Sequence, residues 1–406
     1  MQDLMRQLIL DTFRRAAGTK QLRGTVDALA TEVSLLLGTQ GPGSEVAKRR
    51  EVMERLVRVG DFPLQAWWER SYWEPVVQMA IRDHVRPGDI AFDVGSNAGA
   101  FAVQMSRQAG PRGIICAFEA SPRIIGRTQH NLVQAGANNV TLYHRAIWHR
   151  SGDFVHIEAG SHLNDRVAEG AGGVPVPTLA LDDFIAATGL SPSFVKMDIE
   201  GAELDALQGC PRLLAEGRPV MALEQAPDDM RCHALLVAAG YVAMDLSTGK
   251  RIRQASDFSS PTGVVNVLFV PEEKAATNPY CDERQEVVMA IPGARFTRDA
   301  AGGASLADPP LLQPGRYVVR ADFSASGKQN EVFAGLEADG EVVFRYHTHT
   351  AFLAECYREW VVQLDRPTKV APFLRFLNGS DPTLDWRGVE VIRLPGFDGV
   401  AGPLVF

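Results

Sequence analysis

At 406 residues, with 46% hydrophobic and 22% charged residues, the chain has the length and balance of two or three ordinary globular domains. Its 41 basic and 49 acidic residues leave a net charge of −8, which speaks against duplex DNA or RNA as the main partner. No apolar run reaches the ~20 residues of a membrane span, charges interrupt the N-terminus where a secretory core would lie, and five scattered cysteines lack C-x-x-C spacing, so a cytoplasmic protein with reduced thiols is expected.

Residues 1–37 are expected to be helical. Leu22, Val26, Leu29, Val33 and Leu36 alternate spacings of four and three, the seam pattern of a coiled coil. Two readings fit this short run: a helix that pairs copies into a homo-oligomer, and one lying on the protein's own surface. Gly38 to Ser44 reads as a linker and Glu45 to about Val59 as a charged helix. Asp61 to Trp73 carries Phe62, Trp67, Trp68, Tyr72 and Trp73, which suit stacking on a flat ligand or, more simply, packing on the next domain. Glu74-Pro75 then opens a helix ending near Val85.

Ile90 to Phe101, IAFDVGSNAGAF, reads as a strand that turns tightly into a helix. Gly95 permits a turn that a side chain would block, and Gly99 lets the helix approach closely. The free N–H groups at the helix start face the turn. Asp93, ending the strand, would repel a pyrophosphate but suits an ammonium group. A ligand with an amino-acid moiety and a nucleoside therefore fits better than a dinucleotide. The next strand, Gly113 to Ala120, ends in Glu119, about 20–25 residues on, where α/β folds place the acid that binds ribose hydroxyls.

Strands and helices then alternate, which implies a parallel sheet. Strands are expected at Ile90–Val94, Ile114–Glu119, Val140–Ile147, Phe194–Ile199 and Val220–Glu224. Helices are expected at about Ala98–Gln108, Pro122–Ala135, Ala202–Leu214 and Asp229–Ala239. Asp153–Glu158 and Val174–Pro177 read as an inserted β pair, and the glycine-rich stretch between them as a lid. Tyr241–Leu246 and Val264–Val270 read as a closing hairpin. A boundary falls in the polar stretch after Pro271, so the expected divisions are 1–60, 61–272 and 273–406. Past the boundary, short runs of period two suggest an all-β sandwich or jelly roll, a carbohydrate-binding or interaction module. His347 and His349 share a face there, read as a polar strand face rather than a metal site.

Phe194 to Glu203, FVKMDIEGAE, ends a buried strand in Asp198, followed by Glu200, Gly201 and Glu203. Helix-dipole pairing accounts for part of this acidity. Asp93, Glu119, Asp198 and Glu224 all end strands on one sheet edge, which points to a ligand crevice.

DVGSNAG, FEASP, PTLALDDF, KMDIEGAE and PVMALEQ together resemble the FkbM family of S-adenosylmethionine-dependent methyltransferases, over about Tyr72 to Pro271. The resemblance implies a class I methyltransferase fold: an α/β, Rossmann-like, seven-stranded sheet with its last strand antiparallel. It implies O-methylation of a hydroxyl, with a sugar or glycan, free or lipid- or nucleotide-linked, as the expected acceptor. By the same resemblance Asp93, Gly95, Ser96, Asn97 and Gly99 cradle the methionine part of the cofactor. Glu119 and Ala120 meet the ribose, Arg145 and Ala146 line the adenine, Glu74 reaches the pocket from above, and Asp198 faces the transferable methyl. The segment Thr178 to Asp183 is longer than the family's T-L-D-D.

A substrate hydroxyl needs its proton removed, and Asp198 and Glu200, then His162, are the candidate bases. Lys196 could hold a carboxylate ionised or point to the far face. Asp198 and Glu224 offer oxygen ligands suited to magnesium but lack an evident third partner, so a divalent metal is not favoured. A non-catalytic scaffold that binds the cofactor or a glycan fits the same motifs. A nicotinamide-dependent oxidoreductase does not, for want of G-x-G-x-x-G.

Overall fold

Pro75 sits at the first position of helix α1 (Pro75–His84), where its missing N–H costs nothing. The computed structural model describes residues 74–406 except 159–164, 169–171, 260–263, 299–302, 325–330, 350–358, 377–384, 400–403 and 406, all within one compact unit, 68–406. The expected N-terminal helices, the aromatic stretch before Glu74 and His162 lie outside the described residues. Among those described, no helix is long and apolar enough to cross a membrane.

After α1 come β1 (Ile90–Val94), α2 (Ala100–Ala109), β2 (Ile114–Glu119), α3 (Ile125–Gln134), β3 (Val140–His144) and β4 (Ala146–Ile147). Then follow β5 (Phe154–Glu158), β6 (Arg166–Val167), β7 (Val174–Leu179), α4 (Leu181–Thr188), β8 (Phe194–Met197), α5 (Glu203–Gln208), β9 (Val220–Gln225), α6 (Arg231–Ala238), β10 (Tyr241–Asp245) and β11 (Val265–Pro271).

Seven strands join in the order β3-β2-β1-β8-β9-β11-β10. β11 runs antiparallel to both its neighbours, and the remaining pairs are parallel. Both faces of the sheet are covered, which is why β1, β8 and β9 read as apolar runs rather than alternating ones. On one face Ala91, Phe194 and Ala222 pack against Ile81 of α1 and Phe101 and Met105 of α2. On the other, Phe184 of α4 meets Phe92, Phe118 and Tyr143 edge-on.

Three elements depart from the periodicity. The expected strand over 140–147 breaks at Arg145, and β4 joins a small sheet in the order β4-β7-β5-β6. The expected helix over 202–214 stops at Gln208, because a side chain on Gly209 would put its Cβ 2.2 Å from the Trp148 carbonyl oxygen. Ala180 caps α4, and Asp182 in its first turn accepts from the backbone N–H groups of Arg212 (2.8 Å) and Leu213 (2.9 Å). The longer Thr178–Asp183 segment thus ends in a pinned helix start.

The period-two runs after Pro271 are strands in two antiparallel sheets. One orders 286–292, 385–394, 315–324, 359–364 and 404–405; the other orders 296–298, 304–306, 368–376, 331–338 and 341–349, with 311–312 beside 368–376. Trp386 of the first sheet stacks on Phe323 and touches Phe296 of the second. A row across the first sheet, Val361, Val318 and Ile392, shares a core with Val76, Val77 and Ala80 of α1. The apolar core therefore runs without a break from the parallel sheet through α1 into the β region.

Arg316 locks that contact. It is 1% exposed, donates to Gln363 Oε1 (2.8 Å), pairs with Asp83 of α1, and lies 3.6 Å over the Phe397 ring. Tyr280 donates its hydroxyl to the same Asp83 at 2.8 Å.

Candidate active site

The tight turn after β1 is built around a close approach. Gly95 has φ +81°, and a Cβ there would lie 1.8 Å from the Asp198 carbonyl oxygen. The end of β1 is thus pressed against the end of β8. The N–H groups of Gly95 and Ser96 both donate to the Phe118 carbonyl at 3.0 Å, so the same turn is tied to β2. Asn97 follows in the left-handed region at φ 46°, where asparagine is better tolerated than most residues. Its N–H donates to Glu119 Oε2 at 2.7 Å, and Ser121 N–H donates to Oε1 at 2.7 Å. Burial pushes the Glu119 carboxyl upward, against the pull of these two amides. Each oxygen keeps a lone pair for a further donor.

A cavity opens over the carboxyl ends of β1, β2 and β3. Gly95, Asn97, Glu119, Ala120, Arg145 and Ala146 line it, as do Asp198 and Glu200 at its far side. Phe118, Ile147, Trp148, Ile157 and Val167 make the slot largely apolar. The sequence reading did not anticipate this wall, because it depends on β4–β6 folding back over the sheet. Asp165, just before β6, accepts from Ser121 Oγ at 2.5 Å and pairs with Arg123, which holds that flap to the α3 side.

Other expected residues serve the turn rather than the cavity wall. Ser96 Oγ donates to the Asp93 carbonyl at 3.0 Å. A Cβ on Gly99 would meet Thr128 and Leu132 of α3 at 3.4 Å, so Gly99 serves helix packing. Asp93 is fully buried beneath the turn, with the Ser96 hydroxyl and the Ala102 N–H on its side of it. Burial pushes its pKa up to about 6 despite the charge of Lys196. His144 bonds the Ala120 carbonyl (3.1 Å) and His149 faces Asp205 (3.3 Å) near the surface.

Lys196 faces the site. It stands two residues before Asp198, a spacing that returns a strand's side chains to one side. Its Nζ lies 3.1 Å from Asp198 Oδ2 and 3.3 Å from the Gly95 carbonyl, above the Phe101 ring. Burial works against its charge, but Asp198, Asp93 and Glu74 outweigh burial and hold the ammonium well above its ordinary range.

Around this pair stand three more carboxyls. Glu74 caps α1 with φ 44°, and Glu200 follows Asp198 with φ 55°; both are in the left-handed region, which costs ~1–3 kcal/mol per residue. Burial, then the Asp198 charge, pushes Glu200 up to about 7 and also raises Glu74 and Glu224. Asn266 of β11 hydrogen-bonds Glu74 and stands opposite Glu224 in the ladder. Among the described residues no group of three or more His, Cys, Asp or Glu side chains is set to hold a metal ion.

Residues 93–243 match the family model described as Methyltransferase FkbM domain. No curated protein matches the chain. Among solved structures it is similar to Methyltransferase FkbM from Methylobacillus flagellatus KT, with 15% identity over 47% of this chain and 50% of that one, at a TM-score of 0.31. It is also similar to precorrin-6y C5,15-methyltransferase from Geobacter metallireducens GS-15 (18% identity, 48% of this chain and 86% of that one, TM-score 0.29). A third is Aeropyrum pernix fibrillarin in complex with natively bound S-adenosyl-L-methionine (13% identity, 50% and 76%, TM-score 0.31). Scores this low decide nothing about reaction or substrate.

Proposed function

We propose, from the match of residues 93–243 to the FkbM methyltransferase domain model, that the chain is an S-adenosylmethionine-dependent O-methyltransferase acting on a hydroxyl of a sugar or glycan. The observation that carries the reading is the apolar slot with a buried carboxylate, Glu119, at one end and the Lys196–Asp198 pair at the other. A nucleoside needs a flat apolar bed and an acceptor for its ribose hydroxyls, and the slot offers both. The buried carboxylate of Asp93 beneath the turn fits a ligand that brings positive charge nearby.

Glu119 would accept from the ribose hydroxyls, Arg145 and Ala146 would border the base, and the turn from Gly95 to Asn97 would hold the amino-acid part. When bound, S-adenosylmethionine supplies a methyl group on a positively charged sulfur. The chain's own part is to orient the acceptor, keep water out and take one proton. Asp198, at the rim of the slot, is the candidate base for that proton. Lys196 fixes its rotamer through the 3.1 Å contact. Glu200 is the second candidate, and His162 the third. The region 273–406 extends the catalytic part through α1 rather than hanging from a linker.

The test is transfer of a tritiated methyl group from S-adenosylmethionine to a panel of amino sugars, neutral sugars, nucleotide sugars and glycan fragments. Labelled product supports the reading. Cofactor binding without transfer to any carbohydrate would instead favour a non-catalytic scaffold.

A further inference from the structure

The outer wall of the slot is secured at one buried carboxylate. Ile157 of β5 and Val167 of β6 are cross-strand partners, and both line the slot. Ile157 packs with Ala146, Val155 and Val176 in a small core, and Val167 and Trp148 lie against it. β6 is two residues long and lies at the edge of its sheet. Among the described residues it meets β5 through two residue pairs, extended by a hydrogen bond from the Ala168 N–H to the His156 carbonyl (2.7 Å). So short a ladder holds an edge strand weakly. Asp165, the residue before β6 and itself part of the slot wall, adds a second hold. Its side chain is 3% exposed. Oδ2 accepts from Ser121 Oγ (2.5 Å) and Arg123 Nε (3.2 Å), and Oδ1 pairs with Arg123 Nη2. A two-pronged arginine pair fixes direction as well as charge.

Ser121 joins this anchor to the carboxylate at the end of β2. It is 2% exposed. Its hydroxyl oxygen accepts from the N–H groups of Arg123 (3.2 Å) and Ile124 (3.1 Å) on the approach to α3, which leaves the single hydroxyl proton for Asp165. Its own N–H donates to Glu119 Oε1 at 2.7 Å. One buried serine therefore fixes Glu119 and, through Asp165, the strand that covers the slot. Without the Asp165 carboxylate a buried hydroxyl loses its acceptor and β6 loses its anchor. We infer that Asp165 is a positioning residue for the cofactor: through Ser121 and Arg123 it holds Ile157 and Val167 down on the nucleoside half of the ligand. The inference rests on the methyltransferase reading and adds to it a residue that sets how tightly the nucleoside is gripped and takes no part in the chemistry.

The experiment uses the full chain and two probes: S-adenosylhomocysteine, and methylthioadenosine, which keeps the nucleoside and lacks the amino-acid part. In calorimetric titrations Asp165→Ala should weaken both by a similar factor, about tenfold or more, because the lost grip is on the part they share. Amide hydrogen exchange gives a reading that a purely structural role would not move. S-adenosylhomocysteine should slow exchange in β5 and β6 of the native chain. In Asp165→Ala, at concentrations that fill the site, the slowing in β6 should be lost. Unchanged affinity in the variant, a loss for S-adenosylhomocysteine without one for methylthioadenosine, or equal slowing in β6 of both chains overturns the inference. If Asp165→Ala does not fold, the native chain decides alone: no slowing in β5 and β6 on binding overturns it. Failure of both probes to bind the native chain is a separate result, and it overturns the methyltransferase reading together with the inference.

Discussion

The backbone N–H of Asn97 donates to Glu119 Oε2 at 2.7 Å, joining two residues 22 positions apart. The left-handed turn after β1 and the acid at the end of β2 therefore hold each other in place. Glu119→Ala removes the acceptor for two amides, those of Asn97 and Ser121. Each orphaned donor costs ~1–3 kcal/mol, and the proposed ribose contact is lost as well. The dissociation constant for S-adenosylmethionine should rise by about tenfold or more, measured by calorimetry. Unchanged affinity would remove Glu119 from the cofactor site.

Asp93 makes stability depend on pH in a defined direction. Its carboxyl titrates at about 6 in the folded chain against 3.8 when unperturbed. The folded state binds the proton more tightly, so this contribution is fully present below 3.8 and is lost as pH rises through about 6. The difference is worth about 3 kcal/mol. Asp93→Asn should flatten the fall in unfolding free energy between pH ~4 and ~7, read from urea unfolding at each end. An equally steep fall in the variant would show that other groups carry the effect.

Lys196 and Asp198 should separate chemistry from cofactor binding. Asp198→Asn keeps the size of the side chain and removes the proposed base, so kcat should fall about a hundredfold with little change in the KM for S-adenosylmethionine. Lys196→Met leaves the carboxyls around it without a cation, and should shift the acidic limb of the pH–rate profile to higher pH. Full turnover in Asp198→Asn would pass the role to Glu200.

Arg316 and Asp83 tie the β region to α1. Arg316→Met takes the guanidinium away from the partly buried Asp83 carboxylate, which keeps only the Tyr280 hydroxyl of the two, and from Gln363 Oε1. Removing one partner of such a pair costs ~3–5 kcal/mol. Urea unfolding should show that loss in a single transition across 74–406, because one core serves both parts. Two transitions, with only the later region weakened, would mean that the β region folds apart.

Much of the site could be read from local pattern. D-x-G-x-N-x-G after an apolar run, Glu119 ending the next run, and K-x-D-x-E-G each mark a strand end, and the chemistry of a turn is written in a few neighbouring residues. What escaped the reading depends on distant packing. The family resemblance put Asp93 and Ser96 beside the ligand, yet one is buried beneath the turn and the other bonds its backbone. Gly99 serves its contact with α3, a partner some thirty positions on. The break at Arg145 and the stop at Gly209 come from the small sheet folding back, which no window of sequence contains. The packing of Val318, Val361 and Ile392 on α1 turns an expected boundary near Pro271 into a continuous core.

Calorimetric titration of the full chain with S-adenosylmethionine tests the central claim most directly. The account predicts one molecule bound per chain, with a dissociation constant of about 1–100 μM, and a much weakened signal in Glu119→Ala. No heat of binding up to about 1 mM cofactor, or an equal signal in Glu119→Ala, would contradict it.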